Sequence, residues 1–125
     1  MNTIDLIYSI KKRMYIQALE HYRKILNEHY GEAFNNEYVN AIRTYQSLSD
    51  SDKQSVFFLL ETAIDDTICN FLSWIDGVYF VSGQKEEVIL NIGEKRFNIN
   101  GELSDIWKNL QEGVKKEDLE EFYGE

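Results

Sequence analysis

Four carboxylates stand close together in the middle of this chain: Glu61, Asp65, Asp66 and Asp76. On a helix Glu61 and Asp65 are one turn apart, close enough to share a divalent cation or a proton. The same residues equally make an ordinary solvated polar face. A metal site generally draws on further ligands, often His or Cys at fixed spacing, and none accompanies these acids. The sequence therefore names no catalytic set, no metal site and no cofactor.

The other chemistry-bearing side chains argue the same way. Cys69, the single cysteine, falls on the same polar side of the helix, and neighbouring Asp65 disfavours a thiolate, which fits a bystander thiol better than a nucleophile. The histidines recur in Glu20-His21-Tyr22 and Glu28-His29-Tyr30. Eight residues of helix separate them by about 80° and two turns, too far for one ion. His29 falls on the apolar side near the helix end, where stacking or an interaction with terminal carbonyls is its ordinary role. There is no phosphate-binding glycine loop, no Ser/His/Asp signature, no paired-cysteine motif and no basic recognition helix.

The elements that carry these residues follow from periodicity. From Thr3 to Tyr30 no glycine interrupts the chain, and Ile4, Ile7, Met14, Tyr15, Ala18, Leu19, Tyr22, Ile25 and Leu26 share one face. The pattern predicts one long amphipathic helix, capped by Asn2 or Thr3 and ended by a left-handed Gly31. Tyr8, Tyr15 and Tyr22 recur every seven residues along its flank, either as the edge of the core or, if exposed, as a protein-binding row. Asn35 and Asn36 offer caps for a second helix with an apolar stripe of Tyr38, Val39, Ile42, Tyr45 and Leu48.

Ser51 and Gln54 have capping-box spacing for a third helix. In it Val56, Leu60, Ala63, Ile64, Thr67, Ile68, Phe71, Trp74 and Ile75 form an apolar half, expected to be buried. The carboxylates occupy the opposite half, and Gly77 ends the helix. Beyond it the period becomes 2, predicting strands at Val78–Ser82, Glu87–Ile92 and Lys95–Asn100. A two-residue turn at Gly93-Glu94 places Leu90 opposite Phe97, Asn91 opposite Arg96, Ile89 opposite Asn98 and Val88 opposite Ile99. Leu103, Ile106, Trp107 and Leu110 then mark a fourth helix closed by Gly113, and Lys115 to Tyr123 a short acidic helix docked by Leu119 and Phe122. The fold class expected is α+β in one domain over residues 1–125: mainly helical, a long N-terminal helix and a hydrophobic central helix packed with a three-stranded antiparallel meander and C-terminal helices.

Bulk composition sets bounds. A net charge of −9 argues against nucleic acid as a partner, and no apolar run is long enough to span a membrane. The charge is uneven: residues 1–31 carry five bases against three acids, and the remainder eight against nineteen. Such acidity serves solubility and also attracts a basic partner. A lone cysteine and an N-terminus without a signal-peptide pattern predict the cytoplasm.

The layout Ile64-Asp65-Asp66-Thr67, then Trp74-Ile75-Asp76-Gly77, a short sheet, and Asn100-Gly101-Glu102-Leu103 resembles that of small bacterial proteins, some of them similar to immunity proteins carried beside polymorphic or contact-dependent toxins. The resemblance covers roughly the second half of the chain and implies a cytosolic protein that works by binding; with no catalytic motif in the sequence, a non-enzymatic role is expected. The contact residues expected of a stoichiometric blocker of a basic toxin domain are Glu61, Asp65, Asp66 and Asp76, with Glu117, Asp118, Glu120 and Glu121 as a second patch. Two other functions fit the same residues: a small metal-dependent enzyme using the third-helix carboxylates, and a structural homodimer seamed by the tyrosine row.

Overall fold

The computed structural model describes residues 1–124. Five helices and one tiny hairpin follow in the order α1 (residues 3–26), α2 (Glu37–Gln46), α3 (Asp50–Ile75), β1 (Asn91–Ile92), β2 (Lys95–Arg96), α4 (Leu103–Gln111) and α5 (Lys116–Tyr123). The mainly helical architecture and the long first helix are as the periodicity predicts. None of the helices is long and apolar enough to cross a membrane.

Asn2 is the residue that caps α1. Its Oδ1 accepts from the Asp5 amide at 2.7 Å, and Asp5 Oδ2 accepts from the Asn2 amide at 3.0 Å, a reciprocal box satisfying two otherwise orphan donors. The helix is α-helical over Thr3–Ile10 and Gln17–Leu26, with a π-helical segment Lys11–Ile16 between, where the Gln17 amide reaches Lys12 O. The wide turn has a packing consequence. Ile7, Lys11, Tyr15 and Leu19, four residues apart, all lie buried or half-buried. In an uninterrupted α-helix such a row drifts about 40° per step; the wider turn takes up that drift. It also turns Met14 outward, to 56% exposure, and leaves Tyr22 exposed, although both share the apolar face on a 3.6-residue wheel.

Helix α1 stops at Leu26, short of the expected Tyr30, and Gly31 is not left-handed. The reason is tertiary. The Gln46 side-chain amide, at the end of α2, donates to Leu26 O at 3.0 Å and Glu28 O at 2.7 Å, taking up the carbonyls that another helical turn would have used. His29 consequently sits in an exposed loop and not on an apolar helix face. In α2, Asn36 is the cap, and Val39 and Ile42 are buried while Tyr38 is exposed.

The cap of α3 is Ser49, whose Oγ accepts from the Asp52 amide; the Ser51/Gln54 box does not form. At the far end Gly77, at φ +84°, allows Val78 N to reach Ser73 O and Gly77 N to reach Trp74 O, closing the helix as expected.

The three-stranded meander reduces to two residues in each of two strands. The hairpin register is the expected one, Asn91 opposite Arg96 and Ile92 opposite Lys95, with Phe97 N donating to Leu90 O. Gly93 has φ +62° and Glu94 a negative φ, the requirement of a type II′ turn. Pairing ends early because the buried Asn98 side chain replaces the ladder. Its Oδ1 accepts from Leu90 N, and its Nδ2 donates to Val88 O and to Ile75 O. Residues 78–82 form no strand: Gln84 Oε1 accepts from both Trp74 Nε1 and Val81 N, and Gln84 N returns to Val81 O, folding the segment into a turn.

One core joins Ile4 and Ile7 of α1, Leu72 and Ile75 of α3, Leu103, Ile106, Trp107 and Leu110 of α4, and Leu119 of α5. Leu119 docks α5 as expected, but Phe122 is 80% exposed, and Tyr123 packs against the core instead. All of this core lies toward the C-terminal half of α3. Outside this core, Phe57 in the N-terminal half of α3 is buried, with Arg23 of α1 over its ring, and Leu19, Val39 and Ile42 of α1 and α2 are buried as well.

Candidate functional site

Helix α3 is turned about its axis relative to the simple amphipathic reading. Its inward strip runs through Phe57, Glu61, Asp65, Ile68, Leu72 and Ile75, all buried or half-buried. The expected apolar face is open in part: Val56, Ala63, Thr67 and Phe71 are exposed and Leu60 and Ile64 half-buried, while Leu59, outside that face, is 64% exposed. Of the nine residues expected to be buried, Ile75 is buried, and Ile68 and Trp74 are packed against the core. Counting 100° per residue, the centres of the two faces are roughly 90° apart, and Ile68 and Ile75 belong to both.

The carboxylates explain the rotation. Asp65 Oδ1 accepts from the indole Nε1 of Trp107 at 2.7 Å, satisfying the one polar atom of a fully buried tryptophan. Asp76 is a cap supplied from another element. Its two oxygens accept from the Leu103 and Ser104 amides at 3.1 and 2.8 Å and from Ser104 Oγ at 2.8 Å, at the N-terminus of α4, where the helix dipole favours an anion. Glu61 lies 3.8 Å from Arg23, whose guanidinium stacks over the Phe57 ring. Asp66 alone of the four is exposed. The four acids expected to converge on one outward surface are thus divided among three structural neighbours and solvent.

Around the Asp65–Trp107 bond is a half-buried polar seam. Tyr15 meets Trp107 edge-on, with centroids 5.9 Å apart, and burial holds its hydroxyl above the usual tyrosine pKa. Lys11 Nζ donates to Leu110 O at 2.8 Å, near the C-terminus of α4; burial lowers its pKa, and the charge of Asp65 opposes that shift. Cys69 is half-buried against the core. Burial raises its pKa, as do Asp65 and Asp66 to a lesser degree, so the thiol is not an activated nucleophile. Among the described residues no group of three or more His, Cys, Asp and Glu side chains gathers for a metal ion.

Among the described residues, three surfaces bear on binding. A groove of about 360 Å³ between α1 and α3 is lined by Met14, Tyr22, Leu60, Ala63, Ile64, Thr67 and Ile68, without a charged residue. A more polar cleft of about 670 Å³ is lined by Arg23, Tyr45, Lys53, Phe58 and Glu61, among others. On α5, Glu117, Asp118 and Glu121 are exposed beside Phe122, while Glu120 is half-buried and lies 3.4 Å from Lys116. The tyrosine row divides between the two functions considered for it: Tyr15 is core edge, whereas Tyr8 and Tyr22 are exposed, Tyr8 lying beneath the ammonium groups of Lys12 and Lys116.

No protein-family model, curated protein or solved structure matches the chain. Its own geometry is therefore the ground for a functional reading.

Proposed function

We propose that this chain is a cytosolic, non-catalytic protein that acts by stoichiometric binding, neutralising a basic partner domain by covering it, as toxin immunity proteins do. The observation that carries this reading is the surface of α5. Three exposed carboxylates, Glu117, Asp118 and Glu121, share one short helix with an aromatic ring that is 80% exposed at Phe122, Asp118 standing one turn before it. An apolar anchor within a charged rim is a composition suited to recognition: the ring supplies contact area and the rim steers a partner of opposite sign. The net charge of −9 extends that attraction beyond the patch.

The α3 carboxylates enter this proposal differently from one another. Asp66 is free to join a rim, whereas Asp65 and Asp76 are engaged by Trp107 and by the start of α4. The test is co-expression with the product of the adjoining reading frame. A one-to-one complex whose affinity falls with added salt, and falls again in Phe122→Ala and in Glu117→Lys/Glu121→Lys, is the expected result. Absence of a complex, or a complex indifferent to both salt and α5, overturns the proposal.

A further inference from the structure

We infer that the outward face of α3 is a self-association surface, on which the α3 helix of a second copy packs antiparallel. Nothing in this inference depends on the α5 surface, which belongs to a different element.

The first ground is pattern. Val56, Leu60, Ala63, Thr67 and Asn70 are spaced 4, 3, 4 and 3, the repeat of a helix that packs along another helix, and the row ends before Trp74, which Gln84 and the core hold. Leu59, Ile64 and Phe71 widen the seam. No acid or base belongs to it: Glu61 and Asp65 turn toward α1 and α4, and Asp66 stands on the flank. In a chain of net charge −9, an uncharged helical face is where a second acidic copy can approach with least repulsion.

The second ground is area. The chain exposes 8689 Å², where a compact monomer of 14.7 kDa exposes about 6,900 Å². The excess is roughly 1,800 Å², and it is shared with the open segment 77–90, where Val78, Phe80, Val81 and Ile89 are exposed. Covering only half of it on each copy already reaches the about 1,600 Å² of a standard protein interface.

The third ground is shape. Ala63 and Thr67, the smallest side chains of the row, lie near its middle, so two helices can approach closely there. The larger Val56, Leu59 and Phe71 stand toward the ends. A twofold axis near Ala63 brings the Val56 end of one helix toward the Phe71 end of the other, and opposes the two helix dipoles. The neighbouring groove beside Met14 and Tyr22 gives the second copy a flank to fill.

Sedimentation equilibrium of the full chain across a concentration series tests this. A monomer–dimer equilibrium is expected, and added salt tightens it because screening relieves repulsion between two acidic chains; a basic partner on α5 responds in the opposite sense. Leu59→Glu, at an exposed position and so compatible with folding, is expected to weaken dimerisation about a hundredfold or more, with the helical circular dichroism unchanged. Phe122→Ala is expected to leave the dimer intact. In a Cys69→Ser background, Ala63→Cys is expected to cross-link to its own copy under mild oxidation. A wild-type chain that stays monomeric at high concentration, including one whose α3 face takes up a different protein, overturns the inference. So does a dimer indifferent to Leu59→Glu.

Discussion

Trp107 donates its indole N–H to Asp65 across the α3–α4 interface at 2.7 Å, and this bond fixes which side of the longest helix faces the core. Removing the acceptor leaves a buried donor unpaired. Asp65→Ala is expected to cost about 1–3 kcal/mol of stability. Asp65→Asn retains an acceptor oxygen and is expected to cost less. Urea unfolding of both variants checks the ordering, and equal losses would mean that the carboxylate charge, rather than the acceptor, is what Trp107 requires.

Asp76 makes a parallel case at the other end of α3. It accepts two backbone amides and one hydroxyl at the start of α4, where Glu102 holds the cap position without a capping side-chain bond. Asp76→Ala is expected to cost about 0.5–2 kcal/mol, the range for losing an N-cap. Hydrogen exchange at Leu103 and Ser104 is expected to rise first, ahead of global unfolding, because the loss is local to the first turn of α4.

These two aspartates also show what was legible in the sequence and what was not. The helices, the Gly77 and Gly113 stops and the register of the 91–96 hairpin follow from local periodicity and turn chemistry, and they stand in the structure. The rotation of α3 does not follow from anything local. It depends on a donor 42 positions away and on a helix start 27 and 28 positions away. A wheel that sorts residues by polarity assigns Asp65 and Asp76 to solvent because it has no record of Trp107 or Ser104. One signal pointed to the pairing: a tryptophan in the middle of a strongly apolar helical stripe needs an acceptor for its N–H. Similarly, Asn98 reads as a strand residue opposite Ile89, but its buried side chain ends the ladder it was expected to extend.

The contact of α5 with α1 makes stability depend on pH at both extremes. Lys116 Nζ lies 2.7 Å from Asp5 Oδ1 and beneath it the helix cap at Asn2. The Lys116 hydrogen bond, followed by the Asn2 amide, holds the Asp5 pKa below the usual carboxylate value, and the same bond raises that of Lys116. For Asp5, the contribution is complete above the unfolded carboxylate pKa and is lost as pH falls through the lowered folded value. For Lys116, it is complete below the ordinary lysine pKa and is lost as pH rises through the raised one. Thermal unfolding is therefore expected to show a plateau between these limits. Asp5→Asn is expected to flatten the acid limb and weaken the alkaline one, where Glu120 still holds Lys116; Lys116→Met is expected to abolish the alkaline limb and weaken the acid one, where the Asn2 amide still holds Asp5.

The π-helical segment yields a prediction that separates geometry from composition. A wide turn accommodates one residue more than an α-helix requires, so deleting one exposed residue within Lys11–Ile16 is expected to return the segment to α-helical winding without rotating either flank. Ile7 and Leu19 would both stay in place. Arg13 is suited to removal, since its guanidinium makes only an exposed bond to Gln17. Deleting Glu20, also exposed but in regular α-helix, rotates everything beyond it by about 100° and takes Arg23 away from Phe57 and Glu61. The expected outcome is a melting temperature within a few degrees of wild type for the Arg13 deletion and a much larger drop for the Glu20 deletion. Equal losses in the two would mean that the wide turn is held by its own side-chain contacts, above all Lys11 on Leu110 O and Tyr15 on Trp107, rather than by an extra residue that the helix can release.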